Sequence, residues 1–204
     1  PNTVPTYEVG RDARGYYYFT MKLVHGYTLR EVLDYRERYD LSQLVNIIVQ
    51  VAYALEYAHG HRVIHRDIKP ENILVGPYGE VLLLDWGLAK VWGAEDAAPD
   101  REPPDESDEA GQERPETITG QGKLQGTISY MSPEQIRRDP DIDFRTDIFS
   151  LGVVLYETLA GRPPAVADTV AEVRELILDE MPPRPSAIAE VEVPRLLDDL
   201  AYTC

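Results

Sequence analysis

The chain has 204 residues, is 43% hydrophobic and carries a formal net charge of −16 at pH 7. That apolar share suits a globular unit of one or two domains with a sizeable core, and the acidic balance argues against nucleic acid or an anionic membrane as an electrostatic partner. One cysteine, Cys204, excludes an intramolecular disulfide and fits a reducing cytosol.

The opening residues PNTVPTYEVG lack the basic start and apolar core of a secretion signal. The longest apolar stretch, IFSLGVVLYETLA, is shorter than the roughly 20 residues of a spanning helix, so a cytoplasmic location is expected for this stretch, whether or not the whole protein carries an anchor elsewhere. A start without Met and an abrupt end at LLDDLAYTC read as a piece of a longer protein.

In chain order, VPTYEVG and YYYFTMKLV are strand-like and flank RDARG, so Gly15 marks a hairpin. Residues 28–38 read as a short helix, with Thr28 and Glu31 spaced as a capping box. Residues 41–59 carry apolar side chains at 41, 44, 45, 48, 51, 52, 55 and 58, the period of a helix with one wide apolar face. Gly60 stands where a helix stop is wanted.

The next stretch, VIHRDIKPEN at 63–72, places His, Arg, Asp, Lys and Asn around a proline. Pro70 disfavours a helix interior and pushes Lys69 toward an extended backbone. Asp67, Lys69 and Asn72 are therefore expected on an irregular loop, and a charged loop between apolar runs is solvated, paired or catalytic. The runs ILV at 73–75 and VLLLDW at 81–86 come next, separated by the turn signal GPYGE, and predict a second hairpin.

Residues 93–116 hold ten acidic and two basic residues, a net −8, with four prolines and no large apolar side chain. No core can form from them, and a disordered, solvated insertion is the expectation; an acidic docking segment is the alternative. Beyond residue 132 the pattern turns helical. Residues 148–159 are apolar nearly all round and predict a central buried helix, 169–179 an amphipathic one, and 194–202 the start of a last one, after the break at MPPRP.

HRDIKPEN at 65–72, LDWGLAK at 84–90, GTISYMSPEQ at 126–135 and TDIFSLGVVLYE at 146–157 stand in one fixed order. Together they resemble the large lobe of a eukaryotic-type serine/threonine protein kinase, and DWGLAK with SPEQ resembles the bacterial members. The fold implied is α+β: residues 1–24 as the end of a small lobe and hinge, and 25–204 as a mainly helical large lobe with the acidic insertion in its activation segment. ATP and Mg²⁺ are the implied cofactors and a protein Ser or Thr hydroxyl the implied acceptor.

Carried over residue by residue, Asp67 matches the loop Asp that orients the acceptor hydroxyl and takes its proton, and Lys69 the Lys beside the transferred phosphoryl. Asn72 and Asp85 match the Mg²⁺ ligands, oxygen donors of the kind a hard cation prefers. Trp86 replaces the usual Phe and keeps a large apolar group. Met21, Lys22 and Val24 fall in the hinge against the adenine edge, with Met21 as gatekeeper and Leu74 beneath the base.

His65 and Arg66 precede the catalytic Asp. Arg66 matches the residue that pairs with a phosphorylated activation-loop side chain, for which Thr117 and Thr119 are candidates. Thr127 matches the Thr bonded to the catalytic Asp and Lys, Asp147 the buried acid under the catalytic loop, and Glu134 the acid of the SPE motif. By contrast, His59, His61 and His65 share metal-like spacing without the four ligands that zinc needs. GQGKLQG at 120–126 fits neither GxGxxG nor a P-loop, since Leu124 stands where Ser or Thr is required.

A glycine-rich loop, a strand Lys and a helix Glu complete the phosphate clamp in this family, and these 204 residues do not include them. The stretch alone is therefore expected to transfer little phosphate. A non-catalytic scaffold is the alternative reading, and a small-molecule phosphotransferase a third.

Overall fold

The structure, a computed structural model of the chain, describes residues 2–92 and 127–204. Its frame is set by the longest periodic segment: α2 runs Leu41–Gly60 and buries Leu44, Ile47, Ile48, Val51, Ala54, Leu55 and Ala58. Asp40 and Gln43 close its start in a reciprocal capping box. The helix stops at Gly60, as expected, but Gly60 is not the left-handed residue. Gly60 is the last helical residue, and Arg62, at φ 60°, is the one that turns left-handed. The turn leads directly into a strand pair: β4 (Val63–Ile64) pairs antiparallel with β7 (Lys90–Val91), and the Trp92 N–H donates to the Arg62 carbonyl at 2.6 Å.

Before α2, β1 (Thr6–Arg11) and β2 (Tyr17–Met21) form the expected antiparallel hairpin, with Gly15 at φ 87° in its turn. Thr28 and Glu31 make the capping box of α1 (Leu29–Asp34). This helix ends before Arg38, and Arg36–Arg38 form a separate 3₁₀ turn with no buried residue. RER offers no purely apolar side chain to continue the buried face of α1, and Arg36, half-buried, turns its guanidinium toward the Leu159 carbonyl.

A three-stranded antiparallel sheet joins β3 (Tyr27–Thr28), β5 (Ile73–Val75) and β6 (Val81–Leu83), with β5 central. The GPYGE turn between β5 and β6 forms as expected, with Gly79 at φ 83°. Asn2 pins the chain's first described residues to this sheet: its carbonyl accepts from the Leu83 N–H at 2.8 Å, and its side-chain amide donates to the Val81 carbonyl.

The second half is helical: α3 (Pro133–Arg137), α4 (Arg145–Ala160), α5 (Val170–Asp179), α6 (Pro185–Ile188) and α7 (Arg195–Thr203). α4 is the central element, packed against α2, α6 and α7. Its sequence looked apolar nearly all round, yet it also buries Thr146, Asp147, Ser150, Glu157 and Thr158. Thr158 turns its hydroxyl onto the Val154 carbonyl of its own helix at 2.8 Å, and Ser150 shares its hydroxyl between the Tyr130 carbonyl at 2.7 Å and the Thr146 carbonyl at 3.1 Å. The two acids find partners on other elements and build the site. A smaller cluster of Ile128, Ala165 and Val173 seats α5. Among the described residues no helix is long and apolar enough to cross a membrane.

Leu55, on α2, is 1% exposed in the main core. Leu55→Ala is expected to lower unfolding stability by about 2–5 kcal/mol, read as a drop in the urea midpoint at unchanged slope.

Candidate active site

The site is hung on one carboxylate. Asp147, in the first turn of α4 and wholly buried, accepts from the backbone N–H of His65 on Oδ2 and of Arg66 on Oδ1, each at 2.8 Å. His59, in the last turn of α2, brings its Nε2 within 2.8 Å of the same Oδ2. Arg66 is held at φ 69°, a region that costs a non-glycine residue on the order of 1–3 kcal/mol. Its carbonyl accepts from Gln135 Nε2 at 2.7 Å, and its own Nε donates to the Leu88 carbonyl at 2.6 Å. Hydrogen bonds on both sides of the strained residue offset that cost.

The backbone so bent presents Asp67. Lys69 Nζ lies 3.0 and 2.8 Å from its two carboxylate oxygens, and Asn72 Nδ2 donates to its carbonyl and to Oδ2, both at 2.8 Å. Lys69 is extended, as Pro70 requires, and Pro70–Asn72 close a single 3₁₀ turn with the proline in its first position, so Asn72 sits on that turn and not on irregular chain. Both Asn72 donor contacts use the amide nitrogen, which leaves its oxygen as the group available to a cation.

Asp85 comes after β6 at φ 58° and accepts from the Gly87 N–H at 3.3 Å. The preceding Leu84 N–H donates to the Asn72 carbonyl at 2.8 Å, which ties the segment bearing Asp85 to Asn72's turn. An Asn amide oxygen and an exposed carboxylate on adjoining segments suit Mg²⁺, which is commonly held by one or two carboxylates together with substrate phosphates. Among the described residues no group of three or more His, Cys, Asp and Glu forms a metal cage. The three spaced histidines go separate ways: His59 to Asp147, His61 to the Tyr57 carbonyl, His65 to the Leu84 carbonyl.

His65 links the two halves. Its Nδ1 accepts from the Asp67 N–H at 3.2 Å, so the proton sits on Nε2, which donates to Leu84 O at 2.8 Å. Its ring meets that of Trp86 edge-on at 4.6 Å, and the Trp86 indole N–H donates to the Leu83 carbonyl at 3.2 Å. Trp86 thus keeps the packing role expected of it and adds a hydrogen bond.

The remaining candidates are placed as follows. Leu74 is buried in β5 opposite Thr28 and Leu82. Met21 ends β2, half exposed, Lys22 donates its backbone N–H to Pro5 at 3.0 Å, and Val24 is half-buried. Thr127 opens a turn closed by the Tyr130 N–H at 3.3 Å, and Glu134 lies in the first turn of α3 behind the Ser132–Gln135 capping box. Thr117, Thr119, the GQGKLQG segment and the acidic stretch lie outside the described residues.

One constellation escaped the sequence reading. Arg30 Nη1 and Nη2 donate to the two Glu157 oxygens at 2.7 and 3.2 Å, and Nε donates to Glu71 at 2.9 Å. Nη2 also donates to the Tyr130 hydroxyl, which in turn donates to Glu157, each at 2.5 Å. Burial opposes the Arg30 charge, but the Glu157 hydrogen bonds and the charges around them outweigh it and raise its pKa. Burial, then Glu157, raises that of Tyr130, so the phenol stays protonated. Two local signals pointed there. Arg30 is a cation in a helix's first turn, against the dipole, and Glu157 is the one charged residue of the largely apolar run 148–159, which needs a partner.

The protein kinase domain family matches residues 1–198, and the chain belongs to that family. It is 38% identical over 224 residues to the serine/threonine-protein kinase PknD of Protochlamydia amoebophila, covering 100% of this chain and 22% of that protein. It is 35% identical over 197 residues to the serine/threonine-protein kinase PknL of Mycobacterium tuberculosis, covering 97% of this chain and 43% of the relative. With the probable serine/threonine-protein kinase PknB of Bifidobacterium longum it shares 32% over 208 residues, 98% of this chain and 27% of that one. The chain thus spans less than half the length of these relatives.

Burial holds the pKa of His65 below its ordinary 6.5; the Leu84 carbonyl and the charges of Asp147, Asp67 and Asp85 oppose this only in part. The unfolded chain takes up a proton near pH 6.5 that the folded one refuses, so the stability tied to His65 is complete above pH 6.5 and is lost progressively as pH falls below it. Urea unfolding from pH 7.5 down to about 5 is expected to show this loss, and His65→Asn to flatten it.

Proposed function

We propose that this chain is the catalytic-loop and acceptor-holding part of a serine/threonine protein kinase, which moves the terminal phosphoryl group of ATP to a Ser or Thr hydroxyl of a protein. The observation that carries the reading is the Asp67–Lys69–Asn72 constellation, joined to Asp85 through the Leu84–Asn72 hydrogen bond. The relatives' names, each a serine/threonine-protein kinase, support the same reaction.

In this reading the acceptor hydroxyl approaches Asp67, whose carboxylate takes its proton as the oxygen bonds to the γ-phosphorus and the bond to the β–γ bridging oxygen breaks. Lys69, within 3.0 Å of both Asp67 oxygens, brings positive charge to the point where charge develops. Asn72 and Asp85 would hold Mg²⁺, which supplies neutralisation of phosphate charge. Residues 1–24 are read as the end of the small lobe and the hinge, with Met21, Lys22 and Val24 along the adenine edge and Leu74 beneath it.

Protein expressed from the whole reading frame that encodes these residues is expected to phosphorylate Ser or Thr in acceptor proteins with Mg–ATP. Asp67→Asn is expected to lower the rate about 10²–10⁴-fold with ATP affinity little changed. The 204-residue stretch alone is expected to transfer little. Nucleotide binding without transfer by the whole product would replace this reading with that of a scaffold.

A further inference from the structure

We propose that Arg30 is a positioning residue that locks the far shoulder of the catalytic loop and the Tyr130 segment to helix α4; this rests on the kinase reading and deepens it. The loop 65–72 is clamped at its near end, where Asp147 holds the N–H groups of His65 and Arg66 and Gln135 holds the Arg66 carbonyl. At its far end stands Glu71, between Pro70 and the candidate metal ligand Asn72. The Glu71 side chain is 47% exposed, and its tether is Arg30 Nε at 2.9 Å.

The same guanidinium reaches the other side of the site. Glu157, with a side chain 5% exposed, is an acid that needs a cation, and Arg30 supplies it in a two-pronged pair. Tyr130 is wedged between them by its hydroxyl, while its carbonyl accepts from Ser150 Oγ on α4 at 2.7 Å. Two residues on, Ser132 Oγ lies 2.6 Å from Thr146 Oγ1, again on α4. One planar cation therefore registers the turn that bears Asn72 and the segment that bears Tyr130 against a single buried helix. A lysine keeps the charge for Glu157 but has one nitrogen where three are used, and it cannot serve Glu157, Tyr130 and Glu71 at once.

The test uses Arg30→Lys, in which Glu157 keeps a cation, with Arg30→Met/Glu157→Gln as a second variant that removes both charges of the pair and leaves no buried ion unpaired. Two readouts are made on folded protein well below its melting temperature. Amide exchange is expected to quicken at Asn72, whose N–H bonds Lys69 O, and at Tyr130 and Met131, whose N–H groups bond Thr127 O and Ile128 O, while α2 is unchanged. The phosphotransfer kcat of the whole product is expected to fall on the order of tenfold with KM for ATP held within about twofold. Glu71→Gln is expected to lower kcat and to add little to Arg30→Lys, because both cut one route. Unchanged exchange at both segments, or a lower melting temperature with wild-type kcat, reduces Arg30 to a structural ion pair and overturns the proposal. A wild-type protein without transfer overturns the kinase reading instead, and the exchange comparison still decides whether Arg30 positions the two segments.

Discussion

The buried carboxylate of Asp147 is the constraint on which the rest of the site depends. Taking a carboxylate out of water is costly unless hydrogen bonds replace its hydration. Here the replacements are two backbone N–H groups from His65 and Arg66 and the His59 ring. Those groups cannot reach one carboxylate unless the chain bends at Arg66, and the bend sets where Asp67 emerges. The charge is anchored in α4, the helix with the most packing around it, so the bend inherits the rigidity of the core. The cost of burying a charge is met by a geometry that a solvated loop would not hold.

A second buried acid on the same helix repeats the logic three turns further along. Glu157 draws in Arg30 and Tyr130, and through Arg30 it reaches Glu71. Between the two acids, α4 ties down the 65–72 loop at both ends and the segment leading into α3 at Tyr130 and Ser132, with Gln135 of α3 held through the loop. His65 closes the remaining gap, its ring packed on Trp86 and its Nε2–H on the Leu84 carbonyl next to Asp85. Both left-handed residues of the site, Arg66 and Asp85, lie where these networks meet. Strain of this kind persists only when the surroundings over-determine it.

Much of this was legible one residue at a time. Pro70 announced an extended Lys69, Thr28 with Glu31 announced a helix start, and GPYGE announced a hairpin, because each depends on neighbours a few positions away. The family pattern pointed to Asp67, Lys69, Asn72 and Asp85 because they sit in short ordered motifs. What was not legible depended on distant partners. Gly60 was the local choice for a helix stop and the helix ends there, but the left-handed residue is Arg62, whose carbonyl is held by the Trp92 N–H beside the β4–β7 pair. The helix from Thr28 ended early because RER brings no purely apolar side chain to extend the buried face of α1. The apolar look of residues 148–159 concealed Glu157, whose partner lies 127 positions away.

By itself the sequence determined the periodic elements, the caps and turns, and the order of the charged motifs, since these derive from spacing and from the backbone preferences of single residue types. Tertiary structure alone decided which charges are buried and paired: Asp147 beneath His65 and Arg66, and Glu157 against Arg30 and Tyr130. The physical reason is that an acid in a helix reads the same in one dimension whether it meets water or a cation. Its cost and its role exist only once the fold removes the water and delivers the partner.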